Sequence, residues 1–103
     1  MVLDARFLPN PYYVDGLRSL TGLDDEVYDY VFRHENSREF LARLRSMIGF
    51  LLPQYIEEGK RSFTIAVGCT GGRHRSVAVA RAVADLVREL GQEAKVLHRD
   101  VEK

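Results

Sequence analysis

Hydrophobic and polar positions along the 103-residue chain change period several times, and each change marks an element. Val2 to Leu8 alternates loosely and runs into Pro9-Asn10-Pro11, a strand stopped by prolines that cannot continue a ladder. Asp4 and Arg6 share one face of that strand and need each other or a ligand as partner. Tyr12 to Gly22 shows no period and reads as a loop of the length that often carries function. Asp24, Asp25 and Glu26 place negative charge at a helix start, and Val27, Tyr30 and Val31 extend the helix to about Arg33. His34 to Asn36 interrupts it.

Ser37 is the expected cap of a second, longer helix, in which Phe40, Leu41, Leu44, Met47, Ile48, Leu51, Leu52, Tyr55 and Ile56 recur at helical spacing. Gly49 and Pro53 fall inside it, where proline forfeits the hydrogen bond to the Gly49 carbonyl and predicts a kink; Gly59 is the expected stop. Thr64 to Val67 is a short apolar strand that enters the glycine turn Gly68-Cys-Thr-Gly-Gly-Arg-His-Arg-Ser76. From Ser76 a third helix carries Val79, Ala80, Val83, Ala84, Leu86, Val87 and Leu90 on one face and ends at Gly91. Ala94 to Leu97 reads as a last strand leading to His98, Arg99 and Asp100. This order predicts one α/β domain over residues 1–103. Its mostly parallel sheet of about three or four strands would be flanked by helices in a three-layer-like arrangement. Ligands of such sheets bind beyond the carboxyl ends of the strands, so the strand ends and the glycine turn converge on one expected pocket.

Composition narrows the class. A hydrophobic content of 46% suits one modest core, no segment is apolar enough to span a membrane, and the N-terminus lacks a secretory signal pattern, which predicts a cytoplasmic location. A single cysteine excludes an internal disulfide and fits a reducing compartment. No cofactor is expected, and His34, His74 and His98 are scattered over different elements, so no metal site is expected either. The net charge is zero, yet residues 1–59 hold six basic against ten acidic residues and residues 60–103 hold nine against five. The basic half contains the glycine turn, which favours an anion there.

The turn supports two chemistries. A helix start after a glycine turn offers backbone N–H groups and the positive end of the helix dipole, so phosphate is its usual guest. Arg73, His74 and Arg75 add donors and Thr70 and Ser76 add hydroxyls. Cys69 followed by five residues, Arg75 and Ser76 also matches the loop of cysteine-dependent phosphatases, in which a strand-end thiolate attacks phosphorus and the arginine grips the phosphate. That loop usually has a histidine where this chain has Gly68, and the general acid would have to come from Asp15, Asp24 or Asp25. The bland alternative makes Cys69 a small residue at a crowded strand end, Tyr12 and Tyr13 packing residues, and Arg81 and Arg88 a solvated helix face. His34 and His98 are as readily surface as pocket residues.

Asp4-Ala-Arg-Phe-Leu-Pro-Asn-Pro11, Leu17-Arg-Ser-Leu-Thr-Gly-Leu-Asp24, the Gly68–Ser76 turn and His98-Arg99 before Glu102-Lys103 together resemble the C-terminal domain of the RapZ/YvcJ family, RNase adapter and nucleotide-binding proteins. The resemblance implies a non-catalytic, regulatory domain similar to a phosphofructokinase subdomain. In the RNase adapter branch that domain senses glucosamine 6-phosphate and binds small regulatory RNA. Residues matching the family's sugar-phosphate contacts are Asp4, Arg33, Thr70, Gly71, Gly72, His74, Arg75 and Ser76, with Cys69 and Arg73 in the same turn. In this expectation the backbone of Gly71 to His74, with Arg75 and the hydroxyls of Thr70 and Ser76, holds the phosphate while Asp4 and Arg33 read the remainder. RNA would meet Arg73, Arg81, Arg88, Lys95 and Arg99. Tyr12 stands where RNA-adapter members can carry a histidine. The family's P-loop domain has no counterpart here, since no GxxxxGK[ST] pattern occurs in the chain, and nucleotide binding is not carried over. Family assemblies and an exposed edge strand make a homo-oligomer an expectation.

Overall fold

The computed structural model describes residues 1–69 and 72–98. The first strand, β1, is Val2–Asp4, shorter than the alternation to Leu8 suggested. It ends where Arg6 turns back on it: the Arg6 backbone N–H donates to Asp4 Oδ1 at 3.0 Å, the local hydrogen bond by which Asp residues start turns. Leu8 N–H then closes on the Ala5 carbonyl, and both Ala5 and Leu8 enter the core rather than a ladder. The expected loop contains a single 3₁₀ turn, Pro11–Tyr13, with proline at its first position and the Asn10 side chain accepting from Tyr12 N–H.

Helix α1 spans Asp25–Phe32, and α2 spans Glu35–Glu58. The cap of α2 is His34, in place of the expected Ser37, which lies inside the helix and is fully buried. His34 Nδ1 bonds the Tyr30 carbonyl at 2.7 Å and Arg38 Nη1 bonds the Arg33 carbonyl at 2.6 Å. The end of α1 is thereby satisfied within two residues, and α2 can start before Ser37. Gly59, at φ 95, ends α2 as expected, with Lys60 N–H closing on Tyr55 O.

The second strand, β2, is Ala66–Gly68 and pairs with β1 in parallel, Asp4 opposite Gly68. The glycine turn then leads into α3, Arg75–Glu89, which starts one residue before the expected Ser76. Nine of its residues are buried, so α3 is enclosed on more sides than the single apolar stripe implied. Its alanines at 78, 82 and 84 allow this close packing, and Ala78, Val79, Val83 and Leu86 meet Ala5, Leu8, Val31, Leu44 and Ile48 in one core.

The molecule is α/β with a parallel sheet, but that sheet is narrower than expected. The described residues form two strands in place of three or four. Residues 94–97 adopt no ladder; the Ala94 carbonyl instead accepts from Arg88 Nη2 at 2.9 Å, and Leu97 is 84% exposed. Leu3 and Val67 are half-buried on one face of the sheet, whereas Val2, Asp4, Ala66 and Gly68 are exposed on the other. Among the described residues no helix is long and apolar enough to cross a membrane.

Candidate functional site

The ends of β1 and β2 lie side by side, with Ala5 N–H donating to Gly68 O at 2.7 Å just beyond the paired residues. Cys69 follows directly. Its Sγ accepts the backbone N–H of Ser76 at 3.3 Å and stands 3.2 Å from Ser76 Oγ, so the strand-end thiol caps the first turn of α3. Gly72, at φ 68, supplies the left-handed backbone the turn needs. Thr70 and Gly71, two of the expected ligand residues, lie outside the described residues, as does Arg99 from the expected RNA set.

Arg75 is the first residue of α3 and only 4% exposed. Its Nη1 donates to the carbonyls of Arg6 and Leu8, which ties the start of α3 to the loop after β1. Its Nε is buried with no hydrogen-bond partner among the described residues. A buried guanidinium N–H without an acceptor is costly, because desolvation is not repaid. No carboxylate pairs with Arg75 among the described salt bridges. Its charge is nevertheless felt at the end of β1, where it contributes to the lowered pKa of Asp4.

His74, 6% exposed, is buried at the cap of α3, and its Nε2 bonds the Arg18 carbonyl at 3.1 Å. Arg73 Nη2 bonds the Ser19 carbonyl at 3.3 Å, and Gly22 N–H donates to Arg73 O at 2.9 Å. These bonds fasten the 17–24 loop to the turn. Gly22 itself is pressed onto α3: a Cβ there would stand 2.4 Å from Ala78 N and 2.6 Å from His74 O. Sequence reasoning left Gly22 in an undifferentiated loop. Its place in the Leu-Thr-Gly-Leu stretch was the available signal.

Asp4 is exposed and gripped by Arg6, whose Nη2 lies 2.7 Å from Oδ2 and whose Nε lies 3.0 Å from each carboxylate oxygen. The Arg6 guanidinium and backbone N–H hold the Asp4 carboxyl down to about 2. The two residues thus satisfy each other, one of the two outcomes expected from their shared face. Arg33 is not brought onto the turn by any described contact: its guanidinium lies 4.8 Å from the Tyr30 ring centre at the junction of α1 and α2.

Three of the expected RNA contacts, Arg73, Arg81 and Arg88, have other engagements. Arg81 Nη2 is 2.7 Å from Asp25 and its guanidinium lies 4.3 Å over the Tyr28 ring; the Asp25 bond raises its pKa further. Arg88 bridges Asp85 and the Ala94 carbonyl, while Lys95 is exposed. Two open grooves, of about 320 and 440 Å³, include none of the expected ligand residues: one runs past Pro53 and Leu90, the other past Phe32 and Leu86. Among the described residues no group of three or more His, Cys, Asp or Glu could hold a metal ion.

The family model of the RapZ C-terminal domain matches residues 1–102. The chain is 52% identical over 101 residues to a nucleotide-binding protein of Caldanaerobacter subterraneus, covering 98% of this chain and 36% of that protein. Nucleotide-binding proteins of Carboxydothermus hydrogenoformans and Clostridium novyi are 50% and 48% identical, over 100% and 98% of this chain and 36% and 34% of theirs. The chain therefore spans about a third of the length of these relatives. Match and motifs agree that this chain belongs to the RapZ C-terminal domain family.

Proposed function

We propose that this domain is a non-catalytic sensor of a phosphorylated small molecule, an amino-sugar phosphate such as glucosamine 6-phosphate, bound at the β2–α3 turn. The observation that carries the reading is the buried Arg75 Nε, which lacks an acceptor in a turn built on the start of a helix. A phosphate oxygen supplies that acceptor. Ser76 Oγ and the turn backbone around Gly72 and Arg73 complete the cradle, with Thr70 and Gly71 carried over from the family pattern. Asp4 reads the sugar from the adjoining strand end. His74 holds the 17–24 loop against the cradle through its bond to the Arg18 carbonyl.

Family membership supports a regulatory role, and the relatives' name, nucleotide-binding protein, describes chains about three times as long. Calorimetric titration with glucosamine 6-phosphate, glucose 6-phosphate and inorganic phosphate tests the reading. Saturable heat with the sugar phosphates is expected; no heat and no thermal shift at millimolar ligand overturns it. RNA binding through Arg73, Arg81, Arg88, Lys95 and Arg99 belongs to the same regulatory role. It has to proceed with Arg81 and Arg88 released from their internal partners, and its mark is a steep loss of affinity with salt.

One observation favours a second reading, phosphatase chemistry. Cys69 Sγ at the helix start beside Ser76 has the placement such a nucleophile needs. Against it, Arg75 spends Nη1 on two backbone carbonyls. Turnover of an aryl phosphate that disappears in Cys69→Ser carries the second reading, and no turnover by the unaltered chain ends it.

A further inference from the structure

Asp4 and Arg6 form an ion pair at the end of β1, beside the start of the turn, and both side chains are more than half exposed. Oδ1 accepts from both the Arg6 backbone N–H and Nε, whereas Oδ2 is held by the guanidinium alone. The carboxylate therefore has two kinds of anchor. The backbone bond fixes its direction, and the side-chain bonds cover its outer oxygen. Exposed ion pairs are weak, because solvent screens them and long side chains lose entropy in holding them. An ammonium group brought in by a ligand whose phosphate is already held can displace such a partner at little cost. Arg6 is also coupled to the phosphate side of the site through its carbonyl, which accepts from Arg75 Nη1. On the Arg6 side that bond uses only the backbone carbonyl, so it persists when the Arg6 side chain leaves.

We propose that the Arg6 side chain is a specificity latch: it occupies Asp4 in the ligand-free domain and yields Oδ2 to the cationic amine of an amino-sugar phosphate. The inference rests on the anion-site reading above and adds to it how the site chooses among phosphates. Inorganic phosphate does not reach Asp4 and leaves the latch closed. A neutral sugar phosphate offers only hydroxyls, which compete poorly with a guanidinium for a carboxylate. An ammonium competes on equal terms and opens it. The latch makes a positively charged group next to an anion site act against one class of anion, the reverse of simple electrostatic attraction.

The test is calorimetry on the full chain and on Arg6→Gln and Asp4→Asn, each with glucosamine 6-phosphate, glucose 6-phosphate and inorganic phosphate. Circular-dichroism melts verify that the variants fold. Arg6→Gln keeps the backbone bond to Oδ1 and uncovers Oδ2. It is expected to bind glucosamine 6-phosphate about three- to fivefold more tightly, the range that loss of an exposed competing ion pair allows. Inorganic phosphate is expected to bind the variant equally or slightly more weakly, since one positive charge is gone. Asp4→Asn is expected to erase the preference for the amino sugar over glucose 6-phosphate. If Arg6→Gln leaves glucosamine 6-phosphate affinity unchanged or weakens it while the unaltered chain binds, the latch is refuted and the anion site stands. No heat from any of the three probes with the unaltered chain overturns both.

Discussion

Two arginines of α3, six positions apart, each have one buried nitrogen without a hydrogen-bond partner among the described residues, yet their surroundings differ. Arg81 pairs with the Asp25 carboxylate at 2.7 Å and lies over the face of Tyr28. Arg75 is more deeply buried, and its described hydrogen bonds are only to the neutral carbonyls of Arg6 and Leu8. A buried cation is normally paired. Each is one acceptor short, but the first has a carboxylate for its charge and joins α1 to α3, whereas the second has none, at the place where two strands end and a helix begins. On the proposed function, the partners of these two arginines, more than their exposure, separate the structural cation from the one that would hold the ligand.

The comparison can be broken hardest at the packing that presents Arg75. Gly22→Ala places a methyl within 2.4 Å of Ala78 N and 2.6 Å of His74 O, backbone atoms that cannot swing aside. A loss of about 2–3 kcal/mol in urea denaturation is expected, at the upper end for overpacking. Next, Arg75→Lys keeps the charge but gives one ammonium to serve two carbonyls and a ligand. Affinity for glucosamine 6-phosphate is expected to fall tenfold or more in calorimetry, in line with the loss of a hydrogen bond to a charged group. Arg81→Met sharpens the contrast from the other side: stability drops by about 0.5–1 kcal/mol, and phosphate affinity stays within twofold. The smallest effect is confined to a single titration. In Arg6→Gln the Asp4 carboxyl is expected to rise from about 2 toward its ordinary 3.8, read by NMR of the carboxyl carbon. Because the folded value is depressed, the pair stabilises the unaltered protein above pH 4 and this contribution fades as pH falls toward 2. Arg6→Gln should show a smaller acid dependence, since the backbone bond to Oδ1 remains.

The sequence made the long periods and the turn legible. The i, i+3, i+4 recurrence through Leu44 and Ile48 located α2, and Gly59 ended it at a left-handed residue as read. The strand–glycine–helix grammar likewise placed Cys69, Arg75 and Ser76 at one junction. Short elements were misjudged because alternation over a few residues carries little information. Val2 to Leu8 alternates, but only a local Asp4–Arg6 turn decides where pairing stops. Ala94 to Leu97 looks like a strand, yet a side chain from α3 takes its carbonyl. The role of Gly22 was invisible for another reason: a contact across 52 positions to His74 leaves no local pattern. Arg33 comes from the family pattern alone: its side chain's described contact is the Tyr30 ring, and no described bond joins it to the turn.

The most direct measurement follows the Arg75 Nε–H signal by ¹⁵N–¹H NMR while glucosamine 6-phosphate is titrated into the full chain. A saturable downfield shift of that one signal, with the Arg81 Nε–H unmoved, is the expected result. Binding that saturates while the Arg75 signal stays in place, or moves no more than that of Arg81, would contradict the assignment of Arg75 as the phosphate-holding group.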